Sequence, residues 1–252
     1  MTDGAVPDFF RRLWRVPTAP AHRGRRPTLD VETVVATAIE LADRGGLEAA
    51  TLPKVAQALG VTAMSLYRHI GSKHELLQLM MDAACQPSAP EPNATEWREG
   101  LRSWALDLWV LYQNRPWLPR VPIYRAPSGP NQMAWLERGL AQLAPTPLNA
   151  KDELSAITVL SGFVRQSALL HHELEEGRGF TQDKVDSERA YGAALNQVIT
   201  AERFPHVAAM LAADALGKDS EQTDEPDRDF TAGLELILDG LSAQVAAATR
   251  PR

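Results

Sequence analysis

The segment from Thr51 to Lys73 concentrates side chains suited to recognition chemistry: Thr62, Ser65 and Tyr67 carry hydroxyls, His69 an imidazole, and Arg68 and Lys73 positive charge. Hydroxyls, a phenol and cations gathered in one short stretch are the groups that meet phosphate oxygens and base edges. A second cluster, His171-His172-Glu173, has metal-ligand residue types. Neighbouring helical residues point about 100° apart, so His171 and His172 cannot both turn easily to one ion. The cluster reads instead as a pocket-lining or surface pair, with His171 one turn from Glu175. There is no phosphate-binding glycine loop, nucleophile elbow or metal-ligand spacing. No enzymatic activity, catalytic residue, metal or cofactor is therefore expected.

The elements that must position these groups are helical. From Asp30, a plausible N-cap, Val31, Val34, Val35, Ala38, Ile39, Leu41 and Ala42 recur at helical spacing until Gly45-Gly46. A short helix follows, capped by Thr51, with Pro53 in its first turn and Val55, Ala56 and Leu59 turned inward. Gly60 and Val61 make the turn into a third helix, capped by Thr62 and running through His69. Ser72 and Glu75 form a capping box that opens a fourth. Two short helices joined at such a turn make either a helix-turn-helix on DNA or a purely structural corner.

The prolines between 86 and 95 mark a boundary. Beyond it, Trp97, Leu101, Trp104, Leu108 and Leu111 form a core stripe. Helices are predicted near 132–143, 151–174, 184–199 and 207–211, and in a last segment bearing Phe230, Leu234, Ile237, Leu238, Leu241 and Val245. The fold class is all-α, with three parts: a basic flexible arm at 1–27, a three-helix helix-turn-helix domain at 28–75, and a larger helical domain at 76–252.

The chain of 252 residues is 44% hydrophobic and 23% charged, enough for a real core, and no apolar run is long enough to cross a bilayer. No membrane partner is expected. Arg11, Arg12 and Arg15 beside Phe9, Phe10, Leu13 and Trp14 lack the apolar core and cleavage site of an export signal. Cys85 is the only cysteine, which leaves no internal disulfide and reads as a small buried hydrophobe. A cytoplasmic protein is expected. The net charge is −6, yet residues 1–73 hold 10 Lys+Arg against 7 Asp+Glu. Only that part suits a polyanion, and Arg23, Arg25 and Arg26 could lie against phosphates.

The string from Thr51 to Leu77 resembles the N-terminal signature of the TetR (tetracycline-repressor) family. The likeness rests on the turn Leu59-Gly60-Val61, the Leu66-Tyr67-Arg68-His69 of the third helix, and Ser72-Lys73 followed by Leu76-Leu77. Asn114-Arg115-Pro116-Trp117, and Phe230 with the run from Gly233 to Leu241, look like the family's C-terminal regulatory domain. The resemblance implies a homodimeric repressor released from double-stranded, near-palindromic operator DNA by a small hydrophobic effector. A ligand-independent DNA-binding regulator is the alternative.

It further implies that Thr62, Ala63, Met64 and Ser65 see base edges, that Tyr67, His69 and Lys73 contact phosphate, and that Arg68 reads a guanine or holds a phosphate. Thr51 joins this set. Pro53 stands where many members carry a DNA-touching polar residue, so Arg23, Arg25 and Arg26 are candidates to replace that contact. The ligand wall is expected at Trp104, Leu108, Tyr112, Met133, Phe163, Gln166 and His171. The dimer contact is expected where Phe230, Leu234, Ile237, Leu238 and Leu241 meet Leu154, Ile157, Val164 and Ala168 and the same residues of a second copy.

Overall fold

The computed structural model describes residues 6–16, 29–87, 96–178, 184–213 and 228–249, with the side chains of 178–189 left aside. Its helices in chain order are α1 (Asp8–Leu13), α2 (Val31–Gly45), α3 (Leu52–Ala58), α4 (Ala63–Tyr67), α5 (Lys73–Ala84), α6 (Trp97–Asn114), α7 (Pro130–Leu143), α8 (Ala150–Arg178), α9 (Lys184–Val198), α10 (Pro205–Ala212) and α11 (Arg228–Ala248). Short 3-10 turns occur at Leu47–Ala49 and Leu118–Arg120, and no strand occurs among the described residues. The chain divides into two compact units, Met1–Leu169 with Ala232–Arg252, and Leu170–Thr231.

In the first unit the head forms for local reasons. Asp30 caps α2 by accepting the Thr33 amide at 2.8 Å, and Gly46 ends it at φ 71°, a backbone conformation costly for any residue with a Cβ. Val34, Val35, Leu52, Val55, Leu66, Ile70 and Leu76 are all buried, so α2, α3, α4 and α5 share one small core. Leu13 of α1 is buried too. This corrects the expectation of a flexible arm over 1–27: residues 8–13 are a helix packed on α5. Arg23, Arg25 and Arg26 lie outside the described residues.

α5 also belongs to the body, so a boundary at 75/76 would cut its first turn. At its far end the buried Asp82 carboxylate accepts the amides of Asn131 and Gln132 at 3.1 and 3.0 Å, capping α7 from 49 residues away. A Cβ on Gly129 would sit 2.1 Å from the same carboxylate oxygen, so only glycine fits there. Trp135 on α7 donates its indole N–H to the Cys85 carbonyl at 2.7 Å. From the other side, Trp117 donates to Asp43 of α2 at 2.6 Å, and Arg115 pairs with the same carboxylate. α6 is tied to α11 by Arg98, which reaches Glu235, Asp239 and Ser242, and by Arg102, which reaches Glu235.

Within one chain, burial divides the residues expected at the dimer contact. Ile157, Val164, Ala168, Leu234, Leu238 and Leu241 are already covered within one chain, as is Phe230 in the second unit. Ile157 packs toward Gly139 of α7, and Gly233 admits the Phe163 ring. These residues are core, because the helices of one chain close on them. Of the expected set, Leu154 stays exposed and Ile237 partly so. In the second unit α9 and α10 pack on each other, and His171 pairs with Glu175 at 3.3 Å.

Desolvation raises the Asp82 pKa, opposed by its hydrogen bonds to Gln132 and Asn131. A carboxylate raised on folding binds protons more readily in the native state, so its contribution to stability falls as pH rises through the window above about 4. Asp82→Ala leaves two amides without an acceptor and should cost about 2–4 kcal/mol in urea unfolding. Asp82→Asn keeps an acceptor oxygen, and should cost clearly less and lose that pH dependence. Equal losses for the two variants would mean that the cap is not what Asp82 contributes.

Candidate nucleic-acid interface

α4 is only five residues long and is held by its ends. The Thr62 hydroxyl accepts the Ser65 amide at 3.3 Å and lies 3.0 Å from the Ser65 hydroxyl. Leu66 and Ile70 are fully buried beneath it. Gly60, at φ 67°, makes the turn from α3, and the Val61 amide closes it on the Ala56 carbonyl at 3.0 Å. α4 stops at Tyr67 rather than at His69; Arg68 and His69 form the turn that follows.

Burying Leu66 turns the other side of α4 outward. Met64 is 71% exposed and Tyr67 50%, with Arg68 exposed beside them and Ala63 partly covered. Exposed methionine and tyrosine on a capped helix leave apolar surface free for a thymine methyl and a phenol free for phosphate. Thr62 and Ser65 are partly committed to each other, which narrows what they can offer a base. Thr51 sits at the N-cap position of α3 but makes no cap bond. Next to the exposed Pro53, the Lys54 ammonium donates to the Glu48 carbonyl at 3.0 Å. His69 is half-buried near Asp30, whose carboxyl is held below its ordinary range first by Thr33 and to a lesser degree by His69.

Lys73 is exposed in the first turn of α5, where free amides favour an anion. The capping box is present in a shifted form. Ser72 accepts the Glu75 amide at 3.1 Å, while the Glu75 carboxylate reaches back to the Gly71 amide at 3.2 Å. Both oxygens of Glu75 also receive the Arg12 guanidinium of α1, a contact that local sequence did not reveal. Its one sequence signal is the spacing of Phe9, Phe10, Leu13 and Trp14, which gives α1 an apolar side.

The residues of the candidate ligand wall differ in burial. Trp104 and Leu108 are buried, and Tyr112, Met133 and Phe163 half-buried. The Trp104 indole N–H is spent on the Trp135 carbonyl at 2.9 Å, so it offers a ligand no donor. Phe163 lies on Gly233, Gln166 is exposed on α8, and His171 belongs to the second unit. Gln166 therefore does not face inward. Burial first, with Cys85 adding to it, pushes the Tyr112 hydroxyl far above its usual value, keeping it neutral. Burial likewise lifts the Cys85 thiol to about 12, which makes it inert as a nucleophile. No group of metal-binding residues occurs among the described residues, and none of their helices is long and apolar enough to cross a membrane.

Comparison with known proteins agrees with this architecture. Residues 34–80 match the bacterial regulatory proteins of the tetR family, and residues 89–245 the tetracyclin repressor-like C-terminal domain. The HTH-type transcriptional repressor DrrR1 of Streptomyces coeruleorubidus is 36% identical over 248 residues, covering 96% of this chain and 88% of its own length. The class A tetracycline repressor of transposon 1721 from Escherichia coli is 28% identical over 221 residues, 85% of this chain and 91% of that one. Among solved structures, ActR of Streptomyces coelicolor in complex with actinorhodin superposes with a TM-score of 0.69 at 30% identity, over 86% of this chain and 98% of its own. The paired domains, the capped five-residue helix with its outward Met64 and Tyr67, and the near full-length likeness to a repressor place this chain in the TetR family of DNA-binding transcriptional regulators.

Proposed function

We propose that this regulator acts as a homodimer, represses by holding a near-palindromic operator with two recognition helices, and lets go when a small hydrophobic ligand binds its body. The observation that carries the reading is the outward Met64, Tyr67 and Arg68 face on a helix of five residues. So short a helix reads ~4 base pairs, too few for specificity, which calls for two half-sites about a helical turn or more apart. A surface for the second copy remains on α8 and α11: Val159 and Leu236 are 58% and 74% exposed and line one open groove with Ser155, Gly240 and Gln244. Gly162 and Gly240 have open space where a Cβ would be, which favours close approach of another helix.

Ligand release is supported by the relative ActR, whose structure is described with actinorhodin bound. In this chain the buried Leu108 and the half-buried Tyr112 and Met133 offer the apolar surface with one neutral hydroxyl that such a ligand would need. Turning a 1:99 population into 99:1 requires the ligand to prefer the released state by roughly 5.5 kcal/mol, and operator must weaken ligand binding by the same factor.

Measurements on the DNA face, the dimer contact and the ligand test the reading. Tyr67→Ala and Lys73→Ala should weaken binding to every DNA sequence, and Lys73→Ala should lower the salt slope by about one. Arg68→Ala discriminates between its two roles: changed sequence preference marks a base contact, a uniform loss a phosphate contact. Val159→Glu with Leu236→Glu should give a folded monomer in sedimentation; a persisting dimer would place the contact elsewhere. Actinorhodin, titrated against tryptophan fluorescence with and without operator, should bind more weakly when operator is present. Equal affinities would remove it as the signal, and failure of a panel of hydrophobic compounds to release DNA would favour a ligand-independent regulator.

A further inference from the structure

The turn Gly71-Ser72-Lys73 is supported from behind by a group that lies outside the helix-turn-helix. Arg12 donates to both oxygens of Glu75, one of them at 3.0 Å, and Glu75 in turn accepts the Gly71 amide. A Cβ on Gly71 would fall 2.6 Å from the Glu75 carboxylate and 3.4 Å from the Arg12 guanidinium, so the three groups converge on one point. Glu75 is only 9% exposed and lies two residues beyond Lys73. Without a cation it would be a buried charge of the wrong sign beside an approaching phosphate.

α1 holds Arg12 there by contacts on every side. Six residues form no stable helix alone. Leu13 is buried, the Trp14 indole donates to the Ser128 carbonyl at 2.8 Å, Arg15 pairs with Glu32 at 2.7 Å, and Arg125 stacks 4.6 Å above the Phe9 ring. α1 thus spans from α2 and α5 to the loop that leads into α7.

We propose that Arg12 is a positioning residue for DNA binding: paired with Glu75, it fixes the turn that presents Lys73 and the first amides of α5 to phosphate, and cancels the carboxylate that would repel it. This rests on Lys73 facing phosphate, as proposed above. Arg12→Ala frees Glu75 to swing into solvent, which releases the Gly71 amide.

The test is fluorescence anisotropy on operator and random duplex, with circular dichroism confirming that each variant is folded. Arg12→Ala should weaken binding to both duplexes by roughly tenfold, the scale of one charged hydrogen bond. Arg12→Ala combined with Glu75→Gln should return affinity to within roughly threefold of the parent, since glutamine still accepts the Gly71 amide and carries no charge. Unchanged affinity for Arg12→Ala overturns the proposal. Loss that Glu75→Gln does not rescue overturns it too, because Arg12 would then touch DNA itself. If Arg12→Ala does not fold, Arg12→Gln runs the same comparison. Lys73→Ala separates the two readings: if it leaves affinity intact the interface assignment fails, and if it alone weakens binding only the role of Arg12 fails.

Discussion

The carboxylate of Asp82 is the constraint on which the first unit turns. It is buried, ionised at a cost, and satisfied by the opening backbone amides of α7 together with the Asn131 side-chain amide. A carboxylate and two amides taken out of water must stay together, because separating them strands all three. α5 is therefore not a linker between head and body. With 12 residues it is a rod of about 18 Å, carrying Lys73 in its first turn and Asp82 in its last.

A second set of ties sits near the same end of α5. Trp117 and Arg115 hold Asp43 at the end of α2, Arg115 reaches the Ala84 carbonyl, and Trp135 reaches that of Cys85. The head is thus gripped through α2 and α5, while α3 and α4, the proposed DNA-facing pair, take no part in any of these bonds. The position of α4 is set by rigid elements behind it, which suits a helix of five residues that cannot hold a geometry of its own.

What the sequence made legible follows from the range of the interactions. The caps at Asp30, Thr62 and Ser72, and the glycines at 46 and 60, act within a few residues, and the head was readable from them. The helices of the body were readable from apolar spacing. Spacing does not say what covers an apolar face, and within one chain Ile157, Val164, Leu234 and Leu238 are already covered. Nor does spacing single out Val159 and Leu236, which stay exposed. The expectation of a basic arm over 1–27 rests on Arg23, Arg25 and Arg26, and nothing near α1 in sequence signals its partners, since Glu75 and Ser128 lie 63 and 114 residues away. The Asp82 cap was invisible on the same ground.

The energy scale of these ties fits the work that regulation demands. A shift from almost wholly bound to almost wholly released needs roughly 5.5 kcal/mol, and single buried hydrogen bonds that lose their partners cost about 1–3 kcal/mol each. The Asp82, Trp135, Trp117 and Arg115 bonds together are of that order, and all of them join α7 or the 115–117 segment to α2 or α5. In the proposed release, a ligand on α6 and α7 need not deform the core of the head, since re-pairing two or three of these bonds would supply the difference.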